Sequence, residues 1–169
     1  MKIRTLKQTC SSALIVIAAL TVAFSFASAQ APKRTTSERT IQGAWRTVVT
    51  GVNCQTGDPL GPPFASLLTF NEGGTMSEYG INSGGSPALR SPGHGVWQRE
   101  HGWQDYSYTF TFYRYNASGV FIGSQKVTSA LELGASGDEL TTNAVVQILD
   151  ANDNVIATFC ARAAGTRFE

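Results

Sequence analysis

From about residue 40 onward the chain repeats one phrase about eight times: a short run alternating apolar with polar residues, then a cluster of Gly, Asn, Asp or Pro. Period-two alternation sends successive side chains to opposite faces of a strand, and the clusters between runs are turn formers. The repeated phrase predicts an all-β fold, an eight-stranded antiparallel up-and-down meander that can close into a barrel. No stretch outside the N-terminal run shows a sustained helical period.

The first predicted strand covers residues 41–54, with Ile41, Trp45 and Val49 on one face and Gln42, Arg46 and Thr50 on the other. The second, 64–70, meets the third, 75–80, through Asn71-Glu72-Gly73-Gly74, a strong hairpin signal because Gly tolerates positive φ. In the second strand Phe64, Leu68 and Phe70 compete with Ala65 and Leu67 for the inward face. The fourth spans 95–99. The fifth alternates most clearly: Tyr106, Tyr108, Phe110 and Phe112 share a face that must be the buried one, opposite Ser107, Thr109 and Thr111.

After the turn at 116–119, Val127, Leu131 and Leu133 oppose Lys126, Thr128 and Glu132 in the sixth strand. The seventh sets Leu140, Ala144, Val146 and Ile148 against Thr141, Asn143 and Gln147, and the eighth, 155–163, turns Ala157, Phe159 and Ala161 inward.

The N-terminus follows another pattern. Lys2, Arg4 and Lys7 precede an uncharged run over 11–26, and Ala27-Ser28-Ala29 supplies the small residues a signal peptidase requires before Gln30. We therefore expect a cleaved signal peptide over 1–29, a flexible lead-in over 30–39 and one barrel domain over 40–169, in a secreted or periplasmic protein. A retained anchor would need roughly 20 apolar residues, so no stable membrane span is expected. Cys10 precedes the apolar run, whereas a lipid-accepting Cys would follow it.

Cleavage would leave 140 of the 169 residues, with ten Lys and Arg against twelve Asp and Glu. No basic stripe remains to recruit nucleic acid. Of the three cysteines only Cys54 and Cys160 would remain, and an even pair in an oxidising compartment predicts a disulfide. Both stand on outward positions. If they are directly opposed, residue numbers along that ladder sum to 214, placing Trp45 opposite Glu169 with Arg167 as its same-face diagonal neighbour, near enough to stack on the indole. A bulge, for instance at Gly51, would break that register. Closure by the first and last strands also gathers the long connections 55–63 and 81–94 at one end, a mouth whose rim carries Leu60, Arg90 and His94.

Gly43-Ala44-Trp45, the eight-strand meander and the late Arg167 together resemble the lipocalin or broader calycin pattern. The resemblance implies that Trp45 and Arg167 seal the closed end. No second motif of the Thr-Asp-Tyr kind stands near the turn between the sixth and seventh strands. Phe70-Asn71-Glu72-Gly73-Gly74-Thr75, the segment from Arg90 to Trp97 and Gly165-Thr166-Arg167-Phe168-Glu169 also resemble a group of exported bacterial proteins with no assigned activity.

An eight-stranded barrel is either filled by side chains or holds one small ligand. The candidate lining is Phe64, Leu68, Phe70, Tyr106, Tyr108, Phe110, Phe112 and Phe159; the two buried phenols need polar partners, which favours a pocket for a small apolar molecule. The alternatives are a filled scaffold that presents its loops to a protein partner, which the sequence does not identify, and a cyclase or isomerase using His94 or His101 with Glu78, Glu100 or Asp105. The two histidines are expected at opposite ends of the barrel, so no catalytic residue, metal site or cofactor is assigned. Asn116-Ala117-Ser118 matches a glycosylation sequon, but Asn and Gly are also what the hairpin requires.

Overall fold

The computed structural model describes residues 39–81 and 89–168. The expected signal peptide and most of the lead-in lie outside the described residues, as does part of the long connection after the third strand.

Eight antiparallel strands follow one another around a closed barrel in chain order: β1 (Gly43–Val52), β2 (Phe64–Phe70), β3 (Thr75–Gly80), β4 (Gly93–His101), β5 (Asp105–Tyr115), β6 (Phe121–Leu133), β7 (Glu139–Leu149) and β8 (Val155–Arg167). Alternation decides the faces. On β5, Tyr106, Tyr108, Phe110 and Phe112 are buried while the residues between them are not. On β2 the same alternation buries Ser66, Leu68 and Phe70 and leaves Leu67 exposed, so Phe64, Leu68 and Phe70 take the inward parity.

The closing ladder differs from the expected register. Trp45 pairs with Arg167 and Val52 with Cys160, so the two strands are offset by two residues from an arrangement that opposes the cysteines directly. The ladder runs without a bulge through Gly51. The Cys54–Cys160 disulfide forms nonetheless, with Cα atoms 4.9 Å apart, because Cys54 lies just past the end of β1 and reaches back to β8. A shift of two preserves parity, so both strands keep their expected faces, although Ala157, expected inward, is exposed near the start of β8. The bond belongs to an oxidising environment.

Several strand ends also differ from the sequence reading: β1 begins at Gly43 rather than Ile41 and β4 runs on to His101 rather than ending at Arg99. β1 stops at Val52, where the chain folds back so that Val52 bridges Pro59 and Leu60 N–H donates to Gly51 C=O. β4 starts at Gly93, two residues early, because Gly93 and His94 pair with Glu78 and Ser77. β8 continues to Arg167 because β1 and β7 both offer it partners along that length.

The base of the barrel is solid. Trp45 is fully buried and its Nε1–H donates to Ile41 C=O at 2.7 Å, drawing residues 39–42 across the bottom. The Arg167 guanidinium lies 4.2 Å from the Trp45 ring centroid and donates to the carbonyls of Thr40, Gln42 and Gly137. Gly43 sits at φ 119°, and a Cβ there would lie 3.0 Å from Arg167 Nη1, so a side chain would both strain the backbone and crowd the guanidinium. Phe70, Met76, Tyr106, Leu131, Leu133 and Leu140 fill the space above this seal.

Alternate connections sort to the two ends. Short turns at 71–74, 102–104 and 134–138 lie at the base, while 53–63, the described residues 81 and 89–92 that flank β3 and β4, 116–120 and 150–154 lie at the other end. Arg167→Ala should lower stability by about 2–3 kcal/mol, since charge-assisted hydrogen bonds to otherwise unsatisfied carbonyls would be lost. A urea titration checks this: the midpoint should fall with the slope unchanged. An unchanged midpoint would mean that the strand ladder alone closes the base.

Candidate functional site

Above the solid base the barrel is hollow. A cavity of about 170 Å3 occupies its open half, walled by apolar residues from β1, β2, β5, β6, β7 and β8 and by a few polar ones. Six of the eight predicted lining residues meet there: Phe64, Leu68, Tyr108, Phe110, Phe112 and Phe159. Phe70 and Tyr106 do not; they belong to the packed base, where Tyr106 Oη accepts from Arg99 at 3.1 Å. β5 runs from base to mouth, so its inward aromatics form a column up one wall. Tyr108, Phe110 and Phe112 stack in turn with ring centroids 6.0 and 6.4 Å apart.

The polar side of the cavity holds an ion pair. Glu78 and Arg90 bond to each other with only 4% of either side chain exposed. Ser66 Oγ–H donates to the other Glu78 oxygen at 2.7 Å, and Arg90 Nε–H donates to Ser91 C=O at 3.3 Å. The guanidinium also lies over the Phe112 ring, 3.5 Å from its centroid. Two glycines make room for the pair. A Cβ on Gly80 would come within 2.7 Å of Glu78 Oε1 and 2.8 Å of Arg90 Nη1, and one on Gly93 within 2.9 Å of Glu78 Oε2.

Arg90 is therefore not a solvated rim residue. It turns inward because burial beside a carboxylate satisfies a charge that the barrel wall would otherwise have to exclude. Glu78 likewise belongs to the interior rather than to a histidine pair. Its parity announced this: Met76, Glu78 and Gly80 are buried on β3 while the residues between them are not. Arg90 carried no such signal, because the connection preceding it imposes no alternation.

His94 is corrected as well: it lies within β4 rather than in a loop, paired with Ser77 and Thr111 and exposed on the outer wall. His101 ends the same strand seven residues on, about 23 Å away at the usual strand rise. The two do not share a site. Glu100 is exposed outside the barrel, where the Ser107 hydroxyl and the Gln98 amide hold its carboxyl below the usual carboxylate range. A general acid needs the opposite shift. Leu60 is exposed in the 53–63 loop at the mouth, and among the described residues no cluster of three or more His, Cys, Asp or Glu could hold a metal ion.

Tyr108 connects the aromatic wall to the polar one. Burial pushes its phenol upward from 10.0, opposed by hydrogen bonds with Ser129 and Thr142, while the Glu78 charge adds to the rise. Thr142 itself faces the cavity, as do Thr47, Ser66 and Gln125. None of these small polar residues was assigned to the lining from sequence, because Ser, Thr and Gln look alike on either face of a strand.

Two measurements check this geometry. Glu78→Leu alone should cost about 3–5 kcal/mol by leaving a buried guanidinium unpaired, whereas Glu78→Leu combined with Arg90→Met should cost far less, a coupling that a double-mutant cycle in urea would read. In an alkaline titration, Tyr108 in the folded state should ionise later than an unfolded tyrosine. Its raised value contributes stability that is complete below about pH 10 and is lost as pH rises through the folded value. Absorbance at 295 nm should show a lagging component that is absent in Tyr108→Phe. Neither a protein-family model nor a curated protein matches this chain.

Proposed function

We propose that this is an exported, lipocalin-like barrel that binds one small hydrophobic molecule in its interior. The observation that carries the reading is the unfilled half of the barrel: a cavity of about 170 Å3 beside the column formed by Tyr108, Phe110 and Phe112. An apolar cavity of about 150 Å3 is enough to hold benzene. The space is therefore that of a single ring rather than of a long acyl chain. Export is supported by the leader pattern over 1–29 and by the Cys54–Cys160 disulfide.

The protein-interaction alternative rests on one specific feature. At the mouth, the β5–β6 hairpin exposes Tyr113, Val120, Phe121 and Ile122, with Phe121 in edge contact with Tyr113. A ligand carrier and a scaffold differ in a direct way. Calorimetry of the disulfide-intact protein with toluene should give saturable one-to-one binding. Ala144→Phe, which places a ring into the cavity from β7, should weaken that binding at least tenfold while the protein stays folded. No saturable uptake by folded wild-type protein would favour the scaffold.

A further inference from the structure

The cavity's polar wall says what kind of small molecule would fit. Glu78 and Arg90 neutralise each other, so the pair brings two charges but no net charge into the barrel. An anionic ligand would lose its hydration and find its attraction to Arg90 offset by repulsion from Glu78. Arg162, the other cation at the cavity wall, stands on the outward parity of β8 with Cys160 and is exposed, so it does not supply an interior counter-charge.

The pair still has hydrogen-bonding capacity. Each Glu78 oxygen takes one donor, from Ser66 and from Arg90, although a carboxylate has sites for about four. Arg90 uses Nε and Nη2, leaving Nη1 without an acceptor among the described residues. A group that both donates and accepts can engage both partners at once, whereas a bare hydrocarbon leaves that capacity unused.

Resting on the reading of the cavity as a binding site, we infer that its ligand is an uncharged single-ring compound with a hydroxyl or amide head. The ring lies against Phe110 and Phe112 and the head meets Glu78 and Arg90. A long-chain carboxylate is excluded by volume and by charge together.

The test is a matched set titrated calorimetrically into the exported, disulfide-intact protein at neutral pH: benzyl alcohol, benzamide, toluene, benzoate and decanoate. Benzyl alcohol or benzamide should bind at least tenfold tighter than benzoate and decanoate and at least fivefold tighter than toluene. Glu78→Gln removes the negative charge and nearly conserves shape, so the benzoate to benzyl alcohol preference should move at least tenfold toward benzoate. If that variant does not fold, the wild-type series decides alone. Benzoate or decanoate binding as tightly as benzyl alcohol overturns the inference, as does toluene matching both polar compounds; the cavity reading survives either result. No saturable binding by any of the five, toluene included, overturns the cavity reading itself and this inference with it.

Discussion

Closure of the sheet on itself is the constraint from which the rest follows. β1 pairs with β2 along one edge and with β8 along the other, so neither the first nor the last strand presents an unpaired backbone edge. That ladder puts Arg167 directly opposite Trp45, and the guanidinium can then lie on the indole while reaching three carbonyls beneath the barrel. Only with this end sealed does the inside of the sheet become a container. The same ladder brings Cys160 near enough to Cys54 for a bond at the far end.

The two halves of the interior solve different problems. The base is packed with large side chains in the manner of an ordinary core, with Trp45, Phe70 and Tyr106 among its most deeply buried residues. The upper half tolerates a void and a buried ion pair, both of which cost stability relative to close apolar packing. Four strands contribute to the pair's surroundings: Ser66 from β2, Glu78 and Gly80 from β3, Gly93 from β4 and Phe112 from β5. An arrangement so expensive in packing is hard to attribute to folding alone.

Much of the architecture was legible because strand alternation is local. Tyr106 through Phe112 announced their faces without knowledge of any neighbour, and a register error of two residues in the closing ladder left the parity of β1 and β8 unchanged. The register itself was less legible. Opposed cysteines are only one way to build a disulfide, and Cys54 reaches Cys160 from beyond the strand end. Arg90 was misplaced for a related reason: it precedes β4 after a long connection, so neither period nor pairing tied it to Glu78. His94 was assigned to the loop because Pro92 and Gly93 before it read as turn formers and the fourth strand was begun only at Gly95. In the barrel those glycines instead accommodate close approach by Phe110.

The position of the sulfur bridge has a topological outcome. Cys54 lies near the start of the exposed 53–63 connection while Cys160 sits in the final strand, so the bridge spans every later hairpin. A protease that nicked the backbone between 55 and 63 would leave two fragments still covalently joined, with the severed first strand hydrogen-bonded on both flanks. Such a clipped molecule would run as one species without reductant and as two with it.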